Sequence, residues 1–238
     1  MKIAMIGDLH GNYVATQALE KEIRRQGVDE IWFLGDAVGK GPQSAETCDW
    51  VRQNCSLCVG GNWDYGIGGK EFAEDGYFWA QLGPERMEWL RTLPQERDVW
   101  LSGVHFRLFH GRPVTPLISV QADKAVFAKT FRDGETTYSG IIFADSHRPF
   151  VRLLDDGYAV NTGSVGNSMG VPRAHALIVE GELDCKMPAP LSLNILAVPY
   201  DNEAAAEVAR QDEQLPHRES FITEVLTGVY SREARRPD

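Results

Sequence analysis

Asp8-Leu9-His10-Gly11-Asn12, Gly35-Asp36, Gly61-Asn62, His110-Gly111 and Asp145-Ser146-His147 each follow directly on a short apolar run. Carboxylates, imidazoles and an amide oxygen are the donor types that first-row divalent ions such as Mn, Fe, Ni or Zn accept. Singly, each of these residues could cap a helix or sit as a buried polar group. Together they fall at strand ends, where loops gather side chains from distant parts of a chain. His105 and His175 lie inside strand-like segments and His217 opens a terminal helix, so these three read as structural or exposed.

The elements that must carry those groups follow from hydrophobic spacing. Residues 2–6 form an apolar run closed by Gly7-Asp8, and Val14, Ala18, Leu19 and Ile23 then recur at helical spacing up to Gly27. Ile31-Trp32-Phe33-Leu34 repeats the run and again ends in Gly-Asp, Pro42 opens a helix to about residue 53, and a third strand spans 55–59. Strand, helix, strand, helix, strand implies parallel α/β winding with ligands beyond the carboxyl ends of the strands. Gly60 and Gly61 are expected to turn the chain sharply where Asn62 is presented. Residues 70–92 read as helical. After Pro94 come strand-like runs at 98–101, 104–109, 140–144, 150–154, 158–161 and 174–180, which imply a second, largely antiparallel sheet. Helices at 202–211 and 217–227 close the chain, and the Arg-rich end SREARRPD reads as a frayed tail.

The chain has 238 residues, 43% of them hydrophobic and 24% charged, an ordinary globular mixture that fits one domain over 1–238. Its net charge of −10 argues against binding polymeric nucleic acid or an anionic membrane, so an anionic substrate needs a local attractor. The first apolar run is too short for a secretory signal and no stretch approaches membrane-spanning length, which makes the cytoplasm the expected location. Cys48, Cys55, Cys58 and Cys185 make neither a disulfide framework nor a zinc site, and are expected as free thiols. No Gly-x-Gly-x-x-Gly follows the first strand, which removes dinucleotide binding.

In order along the chain, Asp8-x-His10-Gly-Asn12, Gly35-Asp36-x-Val-Gly-x-Gly-Pro42, Gly61-Asn62, His110-Gly111, Asp145-x-His147-x-Pro149 and Asn161-x-Gly-Ser-Val-Gly166 resemble the calcineurin-like metallophosphoesterases. The likeness is to their compact bacterial and archaeal phosphodiesterase-like branch, and Val198-Pro-Tyr-Asp201 resembles it too. The resemblance implies an α/β fold, a four-layer α/β/β/α sandwich of two mixed β-sheets around a two-metal site. It also implies that Asp8, His10 and His147 hold one ion, that Asn62 and His110 hold the other and that Asp36 bridges them. Mn is the first choice, with Fe, Ni or Zn as the others. Two such ions about 3.5 to 4 Å apart clamp a phosphoryl group, and hydroxide held between them attacks phosphorus in line. They would also supply the local positive charge that the acidic chain lacks.

Two positions depart from the family pattern. Trp63 stands where many members carry the histidine that protonates the leaving group, and indole cannot give up a proton near neutral pH. That puts monoester hydrolysis in doubt more than hydrolysis itself, and Trp63 either packs under the site or forms a wall on which a nucleobase stacks. Asp145 stands where the family has a histidine; it is read as an added carboxylate ligand favouring harder ions, against the alternative of a carboxylate that only orients its neighbours. Asn12, Lys40, Arg112 and Arg148 are candidates for phosphate contact. The expected activity is a phosphodiesterase or phosphatase acting on a small phosphate ester such as a nucleotide, with a binding or scaffolding protein on a degenerate form of the same fold as the alternative.

Overall fold

A computed structural model describes residues 1–231. Its elements in order are β1 (Lys2–Ile6), α1 (Tyr13–Arg25), β2 (Glu30–Leu34), α2 (Ser44–Asn54), β3 (Leu57–Val59), α3 (Asn62–Gly69) and α4 (Gly76–Thr92). There follow β4 (Glu96–Leu101), β5 (Val104–Phe109), α5 (Lys124–Ala128), the short pair β6 (Arg132–Asp133) and β7 (Thr136–Thr137), and β8 (Gly140–Phe143). The chain continues through β9 (Phe150–Leu154), β10 (Gly157–Asn161), β11 (Ala174–Glu180), β12 (Ser192–Val198), α6 (Asn202–Gln211) and α7 (Arg218–Thr227). Of the expected frayed tail, residues 232–238 lie outside the described residues.

Two five-stranded sheets run β12-β11-β1-β2-β3 and β4-β5-β8-β10-β9. Alternation along the strands sends successive side chains into different cores. Ala4 and Ile6 join Leu19, Ile23, Val51 and Phe221 beneath the helices, while Ile3 and Met5 join Phe106, Leu108, Ile142 and Val160 between the sheets. Phe109, Phe127, Phe131 and Phe143 make a third core on the outer face of the second sheet. Three cores separate four layers, helices, sheet, sheet and α5 with its loops, which is an α/β/β/α sandwich.

The strand pairing corrects the sequence reading in two respects. The second sheet is mixed, since β5, β8 and β10 are parallel and only β4 and β9 at its edges are antiparallel. Residues 174–180 join the first sheet instead, antiparallel to β1, with Met5 opposite Leu177. β12 was not foreseen, although Leu193, Ile195, Leu196 and Val198 were its signal; it is an edge strand on which Asn194 and Ile195 are exposed. Neither was α3, which begins at Asn62 itself and carries Gly66, Gly68 and Gly69, residues of low helix propensity. The expected helix over 70–92 is α4, and it is broken at Gly83-Pro84. All four cysteines are free. Among the described residues no helix is long and apolar enough to cross a membrane.

Candidate metal centre

Parallel winding sets the carboxyl ends of β1, β2 and β3 side by side, and the loops beyond them are laced together. Asp8 N donates to Gly35 O at 2.8 Å, His10 N to Asp36 O at 3.1 Å and Gly11 N to Ala37 O at 3.2 Å. The segment after β10 clamps the same loop from the other side, with Ser164 Oγ on Asp8 O at 2.7 Å and Gly166 N on Asp8 O at 3.0 Å. The backbone is strained where the side chains converge. Asp8, His10, Asp36, Lys40, Asp145 and His147 are six of the ten non-glycine residues with positive φ among those described. Such conformations cost energy and cluster where function requires a fixed side-chain direction.

Each central carboxylate is anchored through one oxygen and presents the other. Asp8 Oδ2 accepts from Asp145 N at 3.0 Å, and Asp36 Oδ1 accepts from Trp63 N at 2.9 Å. The remaining oxygens face imidazoles: Asp8 Oδ1 lies 3.2 Å from His147 Nε2 and 3.5 Å from His10 Nε2, and Asp36 Oδ2 lies 3.2 Å from His110 Nε2. All three rings are held the same way, with Nδ1 on a backbone carbonyl: His10 on Val38 O at 3.2 Å, His110 on Leu34 O at 2.7 Å and His147 on Asn167 O at 2.6 Å. A carbonyl only accepts, so each Nδ1 carries a proton, and Nε2 is the nitrogen turned toward the carboxylates, a lone pair whenever the ring is neutral. That is the arrangement of imidazoles that ligate metals.

The donor set fits divalent cations on two counts. His10 Nε2 and His147 Nε2 face each other at 3.2 Å, two lone pairs that repel unless a cation or proton lies between them. Asp8 Oδ1, Asn62 Oδ1 and His110 Nε2, atoms of candidate ligands, are buried with no hydrogen-bond partner, a costly condition for polar groups shut away from water. Asp8, His10 and His147 form one group able to hold an ion, and Asp8, Asp36 and His110 form another. Asp8 is therefore common to both groups, while Asp36 Oδ2 also stands 3.7 Å from His10 Nε2.

Electrostatics follow the geometry. Burial alone would push the Asp8 and Asp36 carboxyls up, but the neighbouring imidazoles hold both below the usual range. Burial disfavours charge on His110 as well, yet Asp36 and Asp8 outweigh it and raise its pKa well above that of a free imidazole. His10 moves the other way, down to about 4, through burial and the positive charge of Lys40.

A cavity of about 880 Å³ opens from this cluster. Lys40, Trp63, Arg112 and Arg148 line it, as do Asp36, Asn62, Asp145 and His147. Asn12 does not: it is 1% exposed, its Oδ1 caps α1 at Ala15 N and its Nδ2 donates to Gly166 O at 2.8 Å. The turn that carries His10 is also the start of a helix, and capping takes the amide that was expected to meet phosphate. Asp145 is engaged by Arg112, whose Nη2 stands 2.6 Å and backbone N 3.0 Å from its carboxylate, and Asp145 Oδ1 is 4.0 Å from His110 Nε2.

Asp64 was not singled out from the sequence, although an acid two residues after Asn62 at a helix start was its signal. Fully buried, it accepts from Asp36 N at 2.7 Å, Ala37 N at 2.9 Å and Gly61 N at 3.0 Å, tying the loops after β2 and β3 to each other. Burial, and then the charge of Asp36, push its carboxyl up to about 7.

A sandwich of two mixed sheets, with carboxylates and Nε2-presenting imidazoles converging at the strand ends, defines an α/β protein with two candidate metal-binding groups beside a cavity. The chain belongs to the calcineurin-like phosphoesterase superfamily, whose domain model matches residues 1–184. It is 30% identical over 232 residues to an uncharacterised protein of Methanocaldococcus jannaschii, covering 86% of this chain and 90% of that one. A metallophosphoesterase structure from Sphaerobacter thermophilus superposes with a TM-score of 0.76 at 27% identity, over 96% of this chain and all of that one. A local stretch of 67 residues is 39% identical to a symmetrical bis(5'-nucleosyl)-tetraphosphatase of Erwinia tasmaniensis, 27% of this chain and 24% of that protein.

Proposed function

We propose that this chain is a metal-dependent phosphoric ester hydrolase acting on a small phosphate ester, with preference for a diester or another substrate whose leaving group departs without help. The observation that carries this reading is the opposed pair His10 Nε2 and His147 Nε2, 3.2 Å apart beside the unpartnered Asp8 Oδ1. In this proposal Asp8, His10 and His147 would hold one ion and Asn62 and His110 the other, with Asp36, whose Oδ2 faces both His10 and His110, available to both. Mn suits a set rich in carboxylate oxygen. Two divalent ions so held supply charge neutralisation for a phosphoryl group and a lowered pKa for coordinated water.

The protein side chains do the rest. Lys40, Arg112 and Arg148 bring positive charge to the cavity wall and orient phosphoryl oxygens. Asp145, which Arg112 holds beside His110, is carried in the proposal as an added carboxylate of the metal set. Trp63 closes one wall, its ring edge-on to His10 at 5.7 Å and to Phe78 at 6.4 Å, a surface on which a planar group stacks. The local similarity to nucleosyl tetraphosphatases supports a nucleotide as that planar group. With indole at position 63 no imidazole there protonates the departing oxygen, which favours diesters and activated phosphates.

The test is an assay with added Mn on a chromogenic phosphodiester and the matching monoester, run beside Asp36→Asn. Diester turnover that falls at least about a hundredfold in the variant is the expected result. Absence of turnover with either ester and every metal tried would instead favour the scaffold reading.

A further inference from the structure

The C-terminal helix carries a buried acid that the proposed chemistry does not use. Glu224 on α7 is 0% exposed; its Oε2 accepts from Asn167 Nδ2 at 3.0 Å and its Oε1 from Ser231 N at 3.3 Å. An acceptor-only carboxylate fixes which way the Asn167 amide points, with its NH2 toward Glu224 and its Oδ1 away. That Oδ1 accepts from Lys40 Nζ at 2.8 Å, and Lys40, 6% exposed, lines the cavity. The backbone oxygen of the same Asn167 accepts from His147 Nδ1 at 2.6 Å. One residue thus touches both the cavity's buried cation and a histidine of the metal group. Its amide is held from α7, which lies beyond residue 184, where the family match ends.

We propose that Glu224 is a positioning residue for Lys40, acting through Asn167 to hold the ammonium where it meets a substrate phosphoryl oxygen. This rests on the phosphate-ester reading above. A buried acid and a buried amine are each costly alone and compensate here across one amide. The hydrogen bonds also predetermine the direction of a flexible side chain that would otherwise have to be ordered when ligand binds. A glutamine at 224 can donate as well as accept, so Asn167 is free to turn its NH2 toward Lys40 and push the ammonium off its position.

The experiment compares wild type, Glu224→Gln, Lys40→Met and the double variant, each loaded with Mn. The readouts are kcat and KM on the chromogenic diester, calorimetric Kd for inorganic phosphate, and Mn per chain by elemental analysis. Glu224→Gln is expected to raise KM and the phosphate Kd together by about fivefold or more, with kcat within about twofold and Mn content unchanged. Added to Lys40→Met it should have almost no further effect, because the two act as one unit. The same loss in the Lys40→Met background, or an unchanged KM, overturns the proposal. If Glu224→Gln fails to fold, Asn167→Ala enters the same cycle, since it removes the link without changing either charge. Wild type that neither turns over the diester nor binds phosphate overturns the underlying reading and this proposal with it; wild type that does both, beside an unaltered Glu224→Gln, overturns this proposal alone.

Discussion

At Asp36 the two carboxylate oxygens have separate tasks: Oδ1 is tied to Trp63 N and Oδ2 faces His110. Trp63 therefore serves the site with its backbone whatever its side chain does, and the indole can be exchanged without losing that tie. By the family resemblance the ring stands where many members carry a proton-donating histidine, so Trp63→His tests what its chemistry withholds. Monoester turnover should rise relative to diester turnover by about tenfold or more, since a positioned imidazole commonly contributes at least that much. Measuring the ratio on paired chromogenic esters checks it, and an unchanged ratio would mean that the leaving group never reaches this wall.

Between β3 and α3 the spacing of the site depends on an absent side chain. Gly61 has φ −107 and ψ 178, an extended backbone open to any residue, so the expected need for unusual geometry is not what places glycine there. Space is the reason: a Cβ would overlap Asp36 Oδ1 and stand 2.8 Å from His110 Cδ2. Gly61→Ala should leave the sheets intact while spreading Asp36 from His110. Mn content is expected to fall by about one ion per chain and diester turnover by about a hundredfold or more, with near-native circular dichroism. Retained metal and turnover would show that the loop yields where the packing says it cannot.

On the proposed metal reading, ions as well as protons are linked to the folding of the whole molecule. Ions that bind only the folded chain stabilise it by about 2.7 kcal/mol at a hundredfold excess over Kd, so removing Mn with chelator should lower the melting temperature by roughly 5 to 10 °C. An unchanged melt would count against a preformed site. A second linkage lies away from the metals, at His175, which is 5% exposed and hydrogen-bonded to Ser168 Oγ at 2.8 Å. Burial, and then the charge of Arg173, lower its pKa from 6.5 to about 4. Between those values the unfolded chain binds the extra proton, so stability is full above pH 6.5 and falls as pH drops toward 4, by at most about 3 kcal/mol. Urea unfolding at pH 7.5 and 4.5 should show that loss, and His175→Gln should remove this part of it.

Local chemistry made the first half of the molecule legible in the sequence. Runs such as 2–6 and 31–34 are strands by their own apolar content, each closes on Gly-Asp, and parallel winding then requires Asp8, His10 and Asp36 to meet. What a residue does once it arrives depends on neighbours that no local pattern names. Asn12 is spent on a helix cap and Asp145 is held by Arg112. Asp64 ties two loops through three backbone amides, and Glu224 reaches Lys40 only because α7 packs against the loop that carries Asn167. Strand pairing is equally non-local, so β11 could be recognised as a strand from its residues, but its antiparallel seat beside β1 could not. The sequence alone determined the kinds of donor atom and the order in which the strands deliver them. The tertiary structure decided which oxygens and nitrogens remain unpaired, because that depends on every hydrogen bond made around them.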